Sequence, residues 1–155
     1  MKIEVFRAVE QDLSLMQRLF YQTVTTYGSA VFTKSEIKQY SQLASDTSYW
    51  LDKFETEYIY NAKLNGEIIG SVFMNAKGHI EYIFINRNYH GLGVASKLYN
   101  TVEEIAREDK IITLTTSINK QTRSFFESKG FQIIKNAVRV SGGEEVITYS
   151  GIKHL

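Results

Sequence analysis

The sequence predicts an α/β fold of the α+β kind, a central mixed, mostly antiparallel sheet with helices on both faces. Three observations predict it. Runs with helical spacing of apolar residues occupy the chain before residue 57, and a strand meander opened by an Asn-Gly hairpin signal follows. One passage, strand to glycine loop to helix to strand between Ile80 and Thr115, favours a parallel pair with a right-handed crossover. At 155 residues the chain is expected to form one domain, 1–155, large enough for a continuous core.

Lys2 to Arg7 reads as a first strand, with Ile3 and Val5 alternating against Lys2 and Glu4. Asp12 is placed to cap the next helix, where Leu13, Met16, Leu19 and Phe20 recur at helical spacing to about Tyr27. Thr33 and Glu36 have the spacing of a capping box before a second helix with Ile37, Tyr40, Leu43 and Ala44 on one face. Ser45 to Lys53 reads as irregular or briefly helical. Strands then follow at Tyr58–Leu64 and Glu67–Met74 across Asn65-Gly66, and at Ile80–Ile85 after a turn at residues 75–78. A helix after Gly93 leads to a strand at Ile111–Thr115. Ser117 or Asn119 is placed to cap a helix that stops at Lys129-Gly130. Phe131–Val140 and Glu145–Lys153 close the chain as a hairpin around Ser141, Gly142 and Gly143.

Composition narrows the function. Eighteen Lys and Arg against 17 Asp and Glu leave no bulk charge for nucleic acid. With no Cys there is no disulfide, thiolate nucleophile or cysteine zinc site, and no His or carboxylate cluster has metal-ligand spacing, so no metal is expected. No apolar run has the length of a membrane span and the N-terminal residues do not resemble a signal peptide, so no membrane partner and a cytoplasmic address are expected.

The segment Arg87-Asn-Tyr-His-Gly-Leu-Gly93 joins a strand to a helix start. Unpartnered first-turn amides and the helix dipole make such a junction an anion site, and Gly91 and Gly93 allow positive φ or close approach. The physics specifies a phosphate or pyrophosphate. The loop lacks the Gly-Lys-Ser/Thr of a P-loop, and no acidic ribose-binding residue follows at dinucleotide spacing.

YHGLGVASKLY and NKQTRSFFESKGF together resemble the two signature segments of the GNAT superfamily, the acetyl-CoA-dependent N-acetyltransferases. His90, Gly93 and Ala95 fall on the fixed positions of the first, and Asn119, Phe125, Phe126, Gly130 and Phe131 on those of the second. The resemblance implies a GNAT-like single domain with acetyl-CoA as cosubstrate and a primary amine of a small molecule or peptide as acceptor. It implies that Tyr89, His90, Gly91, Leu92, Gly93, Val94, Ala95 and Ser96 hold the pyrophosphate. It also implies that Phe84, Ile85 and Asn86 lie on the strand whose amides hold the thioester carbonyl, that Asn119 can hydrogen-bond the pantetheine arm, and that Phe126 belongs to the cofactor site. Two departures stand out. His90 replaces the usual Gln or Arg, and Phe126 replaces the Tyr that donates a proton to the leaving thiolate in many members. The second departure motivates an alternative, a catalytically weak or inactive GNAT-fold acyl-CoA-binding or regulatory protein.

Direct transfer needs a base for the amine proton and no side-chain nucleophile. Glu81 is the first candidate, since an acid in the middle of a central strand is costly to desolvate unless paired or useful. Strict alternation would place it with His79, Ile83 and Ile85, opposite Ile80, Tyr82 and Phe84. His79 is a second candidate for the base, and Tyr149 a stand-in for the missing acid. Tyr21, Tyr27, Tyr49, Trp50 and Tyr58 suggest an aromatic-walled acceptor cleft. An exposed edge near Glu145 to Tyr149 is compatible with a homodimer.

Overall fold

Hairpin chemistry builds the sheet. Strands β2 (Tyr58–Leu64) and β3 (Glu67–Met74) pair antiparallel across Asn65 and Gly66, whose φ values of 52° and 80° make a left-handed two-residue turn. The structure is a computed structural model that describes residues 2–140 and 142–155, without the Tyr27 side chain; Ser141, expected in the last turn, lies outside the described residues. The turn from β3 into β4 (His79–Ile85) is held by Asn75, whose Oδ1 accepts from the amides of Lys77 and His79, each at 3.0 Å. Gly78 completes it at φ 86°, and a Cβ there would lie 2.6 Å from the Thr113 carbonyl oxygen. Only glycine lets the next strand come that close.

With β1 (Glu4–Arg7), β5 (Thr113–Ile118), β6 (Gln132–Arg139) and β7 (Glu145–His154), the order across the sheet is β1-β2-β3-β4-β5-β7-β6. Every neighbouring pair is antiparallel except β4 and β5. The fold class read from the sequence is the fold observed. Edge strand β6 pairs with β7 along its length, while β5 reaches only as far as Tyr149; residues 145–148 of β7 therefore run past it.

Helix α4 (Val94–Glu108) covers one face. Its buried Val94, Leu98, Tyr99, Val102 and Ala106 pack with Ile69, Val72, Ile80 and Leu114, and with Phe126 and Phe131 around the short helix α5 (Arg123–Ser128). Helices α1 (Leu13–Tyr27), α2 (Lys34–Ala44) and α3 (Thr47–Thr56) serve the other face, where Met16, Phe20, Val24 and Trp50 meet Ile59, Ile68 and Phe73. Each large side chain buried this way contributes roughly 1.5–3 kcal/mol. The capping box forms in both directions, Glu36 N–H to Thr33 Oγ1 at 3.1 Å and Thr33 N–H to Glu36 Oε1 at 3.0 Å.

Three local expectations are corrected. The segment after Ser45 is a full helix, α3, because Asp46 Oδ1 accepts the Tyr49 amide at 3.2 Å and Trp50 anchors the helix in the core. Asp12 makes no side-chain cap to α1; its carboxylate accepts the Val9 amide at 3.1 Å and lies 3.7 Å from Lys63. The strand expected from Ile111 begins at Thr113, with Ile112 74 % exposed.

Candidate active site

β4 and β5 part almost as soon as they meet. They pair only at His79 with Thr115 and Ile80 with Thr116, and Thr116 Oγ1 donates to the Ile80 carbonyl at 3.0 Å as the last link. Beyond it, residues 82–85 stay paired with β3, and residues 81–85 have no partner on the β5 side among the described residues. The parting coincides with a bulge: Ile80 opposes Met74 and Tyr82 opposes Phe73, so Glu81 opposes nothing.

That extra residue resets the alternation expected from the sequence. Ile83 and Ile85 join Ile80 on the α4 face, while Tyr82 and Phe84 join the core under α1 to α3. Glu81 shares the side of Tyr82, where Lys53 of α3 reaches it. A cavity of about 530 Å³ fills the gap between the strands. Ile80 through Ile85 form one wall, Thr116 through Asn119 the other, with His90 and Ala95 at the loop end.

At that end Arg87–Tyr89 make a single 3-10 turn, capped by Asn86 Oδ1 accepting the Asn88 amide at 3.0 Å. Gly91 and Gly93 follow at φ 79° and 78°, Gly93 as the N-cap of α4. A Cβ on either would meet nothing within 4 Å, so the loop presents open space above its backbone. The amides of Gly91 to Ser96 form no hydrogen bond to another described residue. Converging unpaired amides at a helix start suit a phosphate.

Residues 21–131 match the Acetyltransferase (GNAT) family. The chain belongs to the GNAT family of acetyltransferases. No curated protein sequence was found to match it. Among solved structures it is similar to a GCN5-related N-acetyltransferase from Rhodopseudomonas palustris, at TM-score 0.86 and 17 % identity over 100 % of this chain and 97 % of that one. It is also similar to the PaiA N-acetyltransferase from Thermoplasma acidophilum, solved in complex with coenzyme A, at 0.82 and 14 % over 100 % of both chains. A third is yncA from Salmonella typhimurium, solved with acetyl-CoA, at 0.73 and 15 % over 98 % and 93 %. At these identities the likeness is one of fold.

Within this GNAT chain the site residues named from sequence fall into three groups. Glu81, Phe84, Ile85, His90, Ala95, Asn119 and Phe126 line the cavity. His90 Nε2 lies 3.2 Å from the Ile85 carbonyl oxygen, which sets the ring at the end of β4. Asn119 Oδ1 accepts the amides of Gln121 and Thr122 at 2.9 and 3.0 Å, and its side-chain nitrogen has no hydrogen-bond partner among the described residues. Phe126 is 1 % exposed, its ring packed on those of Tyr99, Phe125 and Phe131.

Asn86, Tyr89, Gly91, Leu92, Gly93, Val94 and Ser96 form the second group, the loop and helix start; there the Val94 side chain belongs to the α4 core, and the Tyr89 hydroxyl donates to Glu67 Oε2 at 3.3 Å. His79 and Tyr149 are the third, and neither lines the cavity. His79 Nδ1 is 2.8 Å from Thr115 Oγ1, where the strands still pair, and Tyr149 is 39 % exposed opposite Ile118.

The acid end contains residues that sequence reading missed. Lys53 Nζ donates to Glu81 Oε1 at 2.5 Å and to Glu57 Oε2 at 3.2 Å, and lies 4.7 Å from the centre of the Tyr49 ring. Burial works against the ammonium, but the hydrogen bond to Glu81 and the charge of Glu57 outweigh it and raise its pKa. Burial, then contact with Glu81, pushes the Glu57 carboxyl up to about 7 despite Lys53. Glu57 Oε1 is buried with no hydrogen-bond partner among the described residues. Lys53 and Glu57 lie four apart on one helix end, the single local hint of this cluster.

The expected aromatic wall is also redrawn. Trp50 is core, 2 % exposed, its Nε1–H donating to the Leu43 carbonyl at 2.9 Å. Tyr21 is exposed, Tyr58 hydrogen-bonds Asp109, the Tyr27 side chain lies outside the described residues, and the Tyr49 hydroxyl is 2.6 Å from that of Tyr82. The rings that do line the cavity on this side are Phe20, Phe32, Tyr40, Tyr82 and Phe84.

Proposed function

We propose that residues 1–155 form one acetyltransferase domain that transfers the acetyl group of acetyl-CoA directly to a primary amine of a small molecule or peptide. The observation that carries the reading is the gap between β4 and β5, with the unpaired amides of Gly91–Ser96 at one end and Glu81 at the other. The loop amides, with the α4 dipole behind them, bind the pyrophosphate. The free edge of residues 81–85 offers amides to the pantetheine arm and the thioester carbonyl, polarising it. Asn119 steadies the arm from β5.

The amine nitrogen attacks the carbonyl carbon, so the C–N bond forms and the C–S bond breaks. Its proton passes to the Glu81 carboxylate, which Lys53 holds in place. Coenzyme A departs as a thiolate and takes its proton from solvent, because Phe126 has none to give. The second reading, acyl-CoA binding with little turnover, rests on that same phenyl ring.

The test is incubation with acetyl-CoA and a panel of primary amines, reading thiol release and product mass. Acetylated amine at one thiol per acetyl group, lost in Glu81→Gln with coenzyme affinity kept, is expected. Saturable acetyl-CoA binding with no acetylated amine would favour the second reading.

A further inference from the structure

The cavity is lined from both faces of the sheet, and its α1–α2 side has a composition that selects among amines. Phe20 stacks on Phe84 with ring centres 5.5 Å apart, leans on Tyr82 at 5.4 Å and meets Tyr40 at 6.3 Å; Phe32 continues the wall, 5.0 Å from Tyr40. Phe32, Tyr40, Tyr82 and Phe84 are half-buried, so part of each ring remains for a ligand to cover. Val24 and Val31 fill between them.

Little polar capacity on this side is free: the Tyr40 hydroxyl has no hydrogen-bond partner among the described residues, and those of Thr23 and Tyr82 are committed. The Thr23 hydroxyl donates to the Phe20 carbonyl at 2.8 Å, and the Tyr82 hydroxyl is paired with Tyr49. Glu81 is the one acidic residue among the described residues lining the cavity, and His90 stands at the glycine loop. Lys53 and Glu57 lie behind Glu81 and bond to it or to each other, so the cluster answers one ammonium group.

Resting on the acetyl-transfer reading above, we infer that the acceptor is a monoamine carried on an apolar, ring-bearing body. The amine approaches Glu81 while its body lies against Phe20, Phe32 and Phe84. A polyamine would place a second ammonium among rings and valines with no carboxylate to meet it, a desolvation that those π faces offset only in part. An amino sugar would leave several hydroxyls without partners, each costing more than its burial returns. An apolar body loses nothing polar and gains the exposed ring faces.

The test separates binding from chemistry. Phenethylamine, spermidine and glucosamine are titrated calorimetrically into the full chain saturated with desulfo-coenzyme A, and turnover with acetyl-CoA is measured in parallel. Phenethylamine is expected to bind at least 10-fold more tightly than either competitor, and Phe32→Glu to narrow its margin over spermidine about 10-fold. Tighter binding of spermidine or glucosamine, or no binding of phenethylamine, would overturn the inference. Phenethylamine binding first without being acetylated would leave the inference standing and overturn the transfer reaction instead.

Discussion

The two ends of the cleft are made of different material. The loop end is main chain: unpaired amides, two glycines at positive φ and a helix dipole, all from one continuous segment. The acid end is side chain, with Lys53 from α3, Glu57 from the junction of α3 and β2, and Glu81 and Tyr82 from a bulge in β4. A main-chain site tolerates varied side chains provided the backbone keeps its path. A side-chain site keeps its charge pattern only while every contributor stays in place. In the proposed function the first end serves the acyl-CoA in general, and the second is the end that would choose the acceptor.

Substitutions at the two ends should therefore fail differently. The largest effect is expected from Gly93→Val, where a β-branched residue would have to hold φ near 78° and would crowd the amides. Acetyl-CoA affinity should fall at least ~100-fold by calorimetry, while Gly142→Ala in the distant β6–β7 turn leaves it unchanged. Glu81→Gln should do the reverse, lowering kcat about 10²–10⁴-fold with coenzyme affinity nearly intact. Equal loss of both quantities in either variant would erase the distinction between the ends.

Glu57 gives the acid end a pH signature. Its folded pKa of about 7 lies above the ordinary 4.5. Between those values the unfolded chain has released a proton that the folded chain still holds, so stability falls as pH rises through the window and levels off above it. The loss should be on the order of 1–2 kcal/mol, less than full linkage because solvent screens a partly accessible group. Denaturant unfolding between pH 4.5 and 8 reads it, and Glu57→Gln should flatten that part of the curve. The smallest effect belongs to Tyr49→Phe, which removes one hydroxyl from a pair 2.6 Å apart. About 1 kcal/mol of stability should be lost, with acetyl-CoA affinity untouched.

The same contrast explains what the sequence disclosed. Gly91 and Gly93 before an amphipathic helix, Asn65-Gly66 between alternating strands and the Thr33–Glu36 box are local, and local chemistry fixes their geometry. The bulge at Glu81 left no mark in the sequence, because it depends on how β4 registers against β3; one extra residue moved Glu81 from the face of Ile83 and Ile85 to that of Tyr82 and Phe84. Helix α3 was underestimated for a similar reason. Its stability comes from the local Asp46 cap and, more decisively, from Trp50 sinking between Phe20 and Phe73, ring contacts made over 23 to 30 positions of sequence. The aromatic wall of the cavity needed Phe20, Phe32, Tyr40 and Phe84 to converge from four segments, and no spacing rule joins them.

The most direct test of the central claim is a backbone amide NMR titration of the full chain with acetyl-CoA. The largest shift changes should fall on Gly91 to Ser96 and on residues 81–85, with the β6–β7 turn unmoved. Saturable changes centred anywhere else, or none at saturating acetyl-CoA, would contradict the account.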